Sequence, residues 1–544
     1  MRHALVTVAA PLAVGRIAEA QGAIVALCNP AAKDIADALS VLDGDQGLHF
    51  ASLHAIAPTD AASPNGHLLL EFSADGEDDA ALRRLVEAIE EPLKAIFSLS
   101  ADWRGGDLFS YLSARKLALG CGWTGRTGLA FAGTPGMSVG RIHREAKLAI
   151  RVAASLEGQE DGPSALDRLS LVRDEIRKDP DSRWALETPA ALPVAPTWTT
   201  LSLVFGSAAS FITTFLWPFA ILYGAILAGR LLYLGENGAF QHFHLATPAV
   251  KAGHLWSALL WALGALACIL VPLTALAAFL YLDLRKKEAT DWLDERSASR
   301  PVLHEILARE NQGTQNHMIS VTQRKSGLTR RLTTRLAFWL IGTLARLQFQ
   351  PGRLADIGTI HFARWVMLPG SRDFAFLSNY GGSWESYLED FITKAHNGLT
   401  AVWSNTVGFP RTENLIQKGA TDGERFKRYA RRSMLPTAFW FSAYPTLTTD
   451  NIRTNAAIRV GLAAAMTNEE ATTWLELFGS AQRPAIKLES DQIQSLVFGG
   501  LGFMPHGHVM TVRLGADRAE ARRWLGQVLP HVAFDDGRRL KAEA

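Results

Sequence analysis

"LHFASLHAI" at residues 48–56 returns as "IHFARWVML" at residues 360–368, with histidine, phenylalanine and alanine at the same three places. Both stretches are apolar enough to form strands that are buried on two faces. Because side chains alternate along a strand, His361 and Trp365 are expected on one face and Arg364 on the other. A histidine that both copies contain is more typical of a hydrogen-bonded framework group than of a ligand.

The repeat continues beyond these strands. "DGEDDAALRRLVEAIEEPLKAIFSLS" (75–100) aligns without a gap on "GGSWESYLEDFITKAHNGLTAVWSNT" (381–406). Each copy therefore predicts two strands, an amphipathic helix and a third strand at "AIFS" or "AVWS", and a later helix contains "AIRV" in both copies. This order is typical of ferredoxin-like modules, which commonly pair sheet to sheet. We predict an α+β fold of tandem ferredoxin-like modules, similar to a dimeric α+β barrel, with an inserted transmembrane helical hairpin.

The hairpin is predicted from two long stretches without charge. "LSLVFGSAASFITTFLWPFAILYGAILAG" (201–229) and "LWSALLWALGALACILVPLTALAAFLYL" (255–282) each exceed the roughly 20 apolar residues that a bilayer requires. Two buried core helices are the alternative, but soluble cores rarely contain apolar stretches of this length. The lipid bilayer is therefore an expected partner.

Basic residues predict the orientation of the hairpin. The loop at about 230–254 contains only Arg230 and Lys251 as basic residues, whereas five basic residues lie between Arg285 and Arg300. Positively charged flanks usually stay on the cytoplasmic side. We expect two spans in the inner (cytoplasmic) membrane, with both termini in the cytoplasm.

The same features divide the chain. "LTRRLTTRLAFWLIGTLARLQF" (328–349) combines arginines with a leucine-rich stripe, which is typical of an interfacial helix; an amphipathic helix packed on the domain is the alternative. The expected segments are a first ferredoxin-like module at 1–185, the hairpin at 199–285, a linker with this helix at 286–350, a second module at 351–480 and the start of a third unit at 486–544.

Composition excludes several functions. Lysine and arginine (55) nearly balance aspartate and glutamate (53), so we expect no nucleic-acid partner. The three cysteines are far apart in the sequence, which favours neither disulfides nor a cysteine metal site. Motifs such as HExxH, GxSxG, a Walker loop and GxGxxG are missing from the sequence, so no metal site is predicted and no catalytic residue is assigned.

The second copy carries polar and aromatic residues where the first copy has simpler ones, which favours a ligand pocket in the second copy. A tryptophan- and asparagine-rich core is the alternative. The candidate ligand-binding residues are His361, Arg364, Trp365, Asn379, Tyr380, Trp403, Asn405, Arg411, His317 and Asn316.

The C-terminal stretch "DQIQSLVFGGLGFMPHGHVMTVRLGADRAEARRWLGQVLPHVAF" (491–534) resembles the opening of dye-decolourising (Dyp-type) haem peroxidases. The resemblance covers the turn at Asp491–Gln494, the glycines at 499–502, the strand at 509–514 and the helix at 519–529. The chain departs from the family after this point, because "AFDDG" (533–537) lacks the leading glycine of the GxxDG segment and the later haem ligands are missing. The resemblance implies a Dyp-type peroxidase unit as a partner, and no catalytic residue carries over from the family. Haem ligation by a histidine elsewhere in the chain stays open, with His361 or His317 as candidates.

Three functions follow from these observations. The first is a membrane-anchored, cytoplasmic-facing ligand-binding or accessory module of a Dyp-type peroxidase-like redox system. The second is a haem-dependent peroxidase or oxygenase in its own right. The third is a structural membrane protein without catalysis, in which the candidate residues belong to the framework.

Overall fold

The computed structural model describes residues 2–27, 38–39, 47–60, 63–120, 126–157, 159, 164–193, 199–236, 248–347, 351–354 and 357–478. The expected third unit at 486–544 and the peroxidase-like stretch within it lie outside the described residues. The described chain is a mixture of helices and antiparallel sheets, which agrees with the expected mixed α and β content.

The strands are short to medium in length. In chain order they are β1 (His3–Ala13), β2 (Leu48–Ile56), β3 (Asn65–Asp75), β4 (Leu119–Gly120), β5 (Arg126–Ala132), β6 (Gln315–Gln323), β7 (Ile360–Met367), β8 (Asp373–Gly381), β9 (Thr412–Glu413), β10 (Gln417–Lys418), β11 (Met434–Leu435) and β12 (Phe439–Ser442).

The helices include two long apolar ones. In chain order they are α1 (Ile17–Ala26), α2 (Asp78–Ala88), α3 (Glu90–Phe97), α4 (Leu108–Ser113), α5 (Val139–Glu157), α6 (Ala165–Lys178), α7 (Thr200–Phe211), α8 (Trp217–Glu236), α9 (Pro248–Thr290), α10 (Arg300–Leu307), α11 (Leu328–Leu347), α12 (Trp384–Lys394), α13 (His396–Trp403), α14 (Gly423–Ser433), α15 (Thr449–Ala463) and α16 (Asn468–Glu476).

The two larger sheets have the same central strand order: β1, β3 and β2 in the first correspond to β6, β8 and β7 in the second. The first runs β1-β3-β2-β12, and the second runs β11-β6-β8-β7-β5-β4. Lys116 forms an isolated β-bridge with Val8 of β1. In the second sheet, β11 has the equivalent position beside β6. Each half thus contributes a strand, a helix, two hairpin strands, three helices and a returning segment, in that order along the chain.

Each sheet also receives one strand from the other half of the chain. β5 follows the first set of strands in sequence but pairs with β7, and β12 follows the second set but pairs with β2. This exchange ties residues 126–132 to the second sheet and residues 439–442 to the first sheet.

The hydrophobic core explains why the central strands are apolar on both faces. All residues of β7 and β8 are buried. Ala363 and Trp365 pack beneath helix residues such as Tyr387 and Trp403, whereas Val366 and Leu377 pack against the first sheet.

Two expectations differ from the structure. β6 pairs with β8, so the second sheet begins before the boundary expected at residue 351. "AIFS" and "AVWS" are helical, within α3 and α13, and are not third strands. In α3 the buried residues Leu93, Ile96 and Phe97 follow a helical spacing, which outweighs the strand preference of four apolar residues.

Two helical stretches, Leu201–Leu232 and Leu255–Thr290, are long and apolar enough to cross a membrane. A π-helical segment, Ile212–Leu216, precedes Trp217 and Pro218. Pro218 cannot donate the backbone hydrogen bond that an α-helix needs there, and the π-helical turn contains Thr214, the residue whose carbonyl would accept it.

The expected interfacial helix at 328–349 is α11. Ala337 and Phe338 are buried, and the Trp339 ring lies 5.1 Å from that of Phe211 in α7. Arg330 is also buried, so this helix packs on the domain at its first turn, as the alternative expectation had it.

The chain separates into two compact units, and both sheets and the apolar hairpin belong to the one formed by residues 1–146 and 190–456. The other comprises residues 147–189 and the residues from 457 onward. Its described part is helical, with a core that includes Val152, Leu169 and Trp474. Capping boxes at Ser164 and Thr467 begin two of its helices.

Candidate functional site

The inner faces of the two sheets enclose a set of buried polar residues. Phe362, Arg364 and Val366 alternate along β7 toward the first sheet. Phe362 packs against Phe50 and Val366 belongs to an apolar cluster with Ile56, while Arg364 lies between them along the strand.

Glu71 is the centre of a hydrogen-bond network that joins the sheets. Its carboxylate contacts the Arg364 guanidinium and accepts hydrogen bonds from Ser52 Oγ at 3.2 Å and Asn379 Nδ2 at 3.3 Å. Arg364 Nη2 also donates to Ser73 Oγ at 2.9 Å. Burial lowers the pKa of Arg364 to about 9, so the guanidinium stays charged at neutral pH. Both charges are paired and hydrogen-bonded, as a buried ion pair requires, and contacts of this kind are typical of framework residues.

His317 connects this network to a cavity. Its Nε2 lies 3.5 Å from Glu71 Oε1, and its Nδ1 lies 3.0 Å from Thr437 Oγ1. Burial lowers the pKa of His317 to about 3, so the ring is neutral. The cavity measures about 190 Å³ and is lined by Ile306, Arg309, Glu310, Asn316, His317, Met434, Leu435, Thr437, Ala438 and Trp440.

A larger cavity of about 340 Å³ lies at the beginning of α11 and is strongly basic. Its lining consists of Arg324, Lys325, Ser326, Gly327, Arg330, Arg331, Thr334, Met367 and Arg372. Asp291 pairs with both Lys325 and Arg330, at 2.7 and 2.6 Å. Burial lowers the pKa of Lys325 to about 8, and Arg330 contributes to the same shift although Asp291 opposes it.

This basic cavity lies beside the end of the second apolar stretch. Thr329 Oγ1 donates a hydrogen bond to Asp283, which immediately follows Leu282. A Cβ atom placed on Gly327 would lie 3.4 Å from Lys287 Nζ. The cavity is therefore next to the residues at which the apolar stretch becomes charged.

The two repeated histidines occupy β-bulges. The pairing register shifts between Leu48 and Phe50 in β2 and between Ile360 and Phe362 in β7. A bulge adds one residue to a strand and turns its side chain. The expectation that His361 shares a face with Trp365 is therefore wrong: its ring lies 5.2 Å from that of Phe50, between the sheets.

The environments of these two histidines differ. His49 Nδ1 lies 2.8 Å from the Tyr444 hydroxyl, and His49 Nε2 lies 3.0 Å from Asp75 Oδ1. Neither ring nitrogen of His361 has a hydrogen-bond partner among the described residues. Burial lowers the pKa of His361 to about 3. His49 therefore has the hydrogen bonds expected of both histidines, and His361 lacks them among the described residues.

The other sequence candidates lie elsewhere. Trp365, Tyr380 and Trp403 belong to the core beneath the helices of the second sheet. Asn405 accepts a hydrogen bond from Arg330 at 3.3 Å, and Arg411 is exposed. The candidates therefore do not form one site.

The sequence pattern does not single out the acidic residues and the remote histidine that lie between the two sheets. Glu71 and Asp75 lie in β3, within the apolar run "HLLLEFSAD", where a buried carboxylate already indicates a charged partner. His3 contributes a third ligand-type group, since its Nδ1, His49 Nε2 and Asp75 Oδ1 lie within 4.8 Å of one another. These three residues are too far apart in sequence to form a recognisable motif.

Neither a family model, nor a curated protein, nor a solved structure matches this chain.

Proposed function

We propose that this protein is a membrane-anchored binding protein that holds a phosphate-type anion at the membrane surface, in the basic cavity at the start of α11. In this proposal the two sheets belong to ferredoxin-like modules packed sheet to sheet, and the apolar hairpin is their membrane anchor. The main observation in support of this proposal is a cavity of about 340 Å³ that is lined by four arginines and one lysine.

The tandem-module part of the proposal rests on the shared strand order. In each half, the first strand lies beside the third, the third beside the second, and a returning segment beside the first. Antiparallel sheets of this order, with their helices on one face, are typical of ferredoxin-like modules.

The membrane part rests on exposed apolar surface. Leu201, Phe205 and Phe279 have 67%, 66% and 65% of their surface exposed. In the most apolar stretch of each of the two helices, no residue is buried. Large apolar surfaces of this kind would be unfavourable in water and are stable in lipid. The cytoplasmic side is proposed for both halves from the basic residues after the second stretch.

The anion part rests on charge and position. Asp291 is shared between Lys325 and Arg330, while Asp60 pairs with Arg372, so the five cationic side chains exceed these two carboxylates. Within the described residues, Arg331 is exposed and has no ion-pair partner. The beginning of α11 adds unpaired backbone N–H groups, which favour anions.

Inorganic phosphate and phospholipid vesicles distinguish the two sources of such an anion. We expect the full-length protein in neutral detergent to bind inorganic phosphate, and nanodiscs with phosphatidic acid to compete for it better than phosphatidylcholine nanodiscs. Arg324→Ala combined with Arg331→Ala should lower the phosphate affinity at least fivefold, since each surface cation contributes about 1 kcal/mol.

Arg425→Ala is the matched control, because Arg425 is an exposed arginine that pairs with Glu295 and Asp422 away from this lining. Equal phosphate affinity in the double variant and the control would refute the proposal. Phosphate binding without any effect of phosphatidic acid would assign the cavity to a soluble ligand.

The accessory role beside a Dyp-type peroxidase stays a prediction from the resemblance of residues 491–534. For haem, the cavity beside His317 is small: about 190 Å³ compares with roughly 300–1,000 Å³ for ordinary ligand pockets. The cavity beside His317 therefore does not favour a haem enzyme as a second function.

A further inference from the structure

We infer that His3, His49 and Asp75 bind a divalent transition-metal ion in the space between the two sheets. This site is separate from the basic cavity and does not depend on the function proposed for it. The three residues come from three strands of the first sheet, which converge at one end of it because β1 and β2 both pair with β3.

The distances suit one ion. His49 Nε2 lies 3.0 Å and His3 Nδ1 lies 3.7 Å from Asp75 Oδ1, and all three atoms lie within 4.8 Å of one another. Ligand atoms at about 2.0–2.2 Å from a zinc-type ion are themselves about 3–3.5 Å apart. His49 Nε2 and Asp75 Oδ1 already meet this spacing, whereas the His3 ring must move closer to Asp75 to complete the site.

The opposite atom of each ligand residue is held by a neighbour. His3 Nε2 lies 3.2 Å from the Thr134 carbonyl oxygen, and His49 Nδ1 lies 2.8 Å from the Tyr444 hydroxyl. Asp75 Oδ2 accepts hydrogen bonds from the backbone N–H groups of Gly47, at 3.2 Å, and Val139, at 3.0 Å. Metal-binding histidines and carboxylates are usually oriented by such outer contacts.

An unpartnered nitrogen provides an independent indication of a ligand. His3 has a side chain that is 5% exposed, and its buried Nδ1 has no hydrogen-bond partner among the described residues. His3 Nε2 lies 3.2 Å from both the Thr134 carbonyl oxygen and the Gly136 backbone nitrogen, so it accepts from Gly136 in one tautomer and donates to Thr134 in the other. In the tautomer whose Nε2–H donates to Thr134, Nδ1 carries a lone pair directed at Asp75 and His49. A buried lone pair without a donor is unfavourable unless a proton or a metal ion occupies it.

The donor set indicates the class of ion. Two imidazoles and one carboxylate bind zinc or iron(II), and they leave at least one coordination position for water or another ligand. His361 contacts the same Tyr444 ring as His49, with ring centroids 5.9 Å apart, and it supplies a further imidazole in this part of the core.

The test uses cobalt(II), whose absorption reports coordination, and the full-length protein in detergent after tag removal and chelation. We expect one cobalt ion per chain, displacement by zinc, and a higher melting temperature of the loaded protein. His3→Gln should weaken cobalt binding at least tenfold and abolish the rise in melting temperature. His317→Gln is the matched control, because His317 is a buried histidine outside the three-residue group, and it should bind cobalt as the wild type does.

Asp75→Asn adds a second variant in case His3→Gln alone is ambiguous, and circular dichroism of each variant establishes that it is folded. Wild-type protein without bound cobalt would overturn the inference. So would a folded His3→Gln or Asp75→Asn variant with wild-type cobalt affinity.

Discussion

Arg364 and His361 lie three residues apart in one strand, yet Arg364 is fully paired and the His361 ring nitrogens are not hydrogen-bonded within the described chain. Comparison of the two repeats within the sequence predicted that Arg364 binds a ligand and that His361 is a framework residue. Arg364 is instead paired with Glu71 across the sheets, whereas the His361 nitrogens lack hydrogen-bond partners within the described chain. A strand pattern gives the face of a side chain, but the partner comes from another strand about 290 residues away, which the sequence does not specify.

Arg364→Ala should therefore destabilise the protein by about 3–5 kcal/mol, because it leaves the Glu71 carboxylate buried without its counter-charge. His361→Leu should leave the melting temperature unchanged or raise it, since it removes two buried nitrogens without separating a pair. Thermal melting of both variants in the same detergent measures the contrast. An Arg364→Ala variant that melts with the wild type would show that Glu71 does not need this partner.

Buried neutral histidines also predict acid sensitivity. Burial lowers the pKa of His317 to about 3 and holds the pKa of His54 well below its usual value. Glu71, Thr437 and the stacked His54 ring lie against His317. The unfolded chain takes up these protons first, so the stabilisation is complete above about pH 6.5 and declines toward about pH 3. At pH 5 the loss from His317 is about 2 kcal/mol.

Melting temperatures at pH 7.5 and pH 5 measure this loss. His317→Gln should show a smaller drop between the two pH values than the wild type does. A drop of the same size in both proteins would mean that His317 does not contribute.

At the scale of elements, hydrophobic pattern was sufficient for β2, β3, β7, β8 and the amphipathic helices that follow them. The pattern failed for short apolar segments, because four apolar residues fit a helix as well as a strand. "AVWS" reads as a strand by composition, but Leu399, Val402 and Trp403 are buried at the helical spacing of α13. The exchanged strands β5 and β12 were missed because strand partners depend on tertiary packing, and a bulge is invisible in an alternating pattern.

The exchanged strand β5 ends at a close backbone contact that can be tested. Gly133 N donates to the His361 carbonyl at 2.7 Å, and a Cβ atom on Gly133 would lie 1.7 Å from the Ile360 carbonyl oxygen. Gly133→Ala must therefore push β5 away from the bulge in β7. We expect a loss of about 1–3 kcal/mol, as for other overpacked sites.

Gly15→Ala is the control for this change, because no atom lies within 4 Å of a Cβ placed there. Thermal melting compares the two variants. If both behave alike, β5 is not held against β7 as described.

At the scale of the whole molecule, the sequence predicted the two apolar helices because length and lack of charge are local properties. Their orientation is a separate prediction, and it follows from the uneven basic residues on the two sides of the hairpin. Arg285, Lys286 and Lys287 follow the second apolar stretch directly, whereas the connecting loop carries Arg230 and Lys251. Moving the more basic side across the membrane is the less favourable outcome.

Cysteine labelling tests this orientation in a background without Cys28, Cys121 and Cys268. Asn237→Cys, between the two apolar stretches, should react with a membrane-impermeant maleimide added to intact cells. Ser326→Cys is exposed beside the basic cavity and should react only after permeabilisation. The reverse pattern would place both halves of the protein on the outside, and equal labelling of the two positions in intact cells would mean that the hairpin does not cross the bilayer. The expected pattern would put the basic cavity at the cytoplasmic surface, where anionic headgroups are in reach of Arg324 and Arg331.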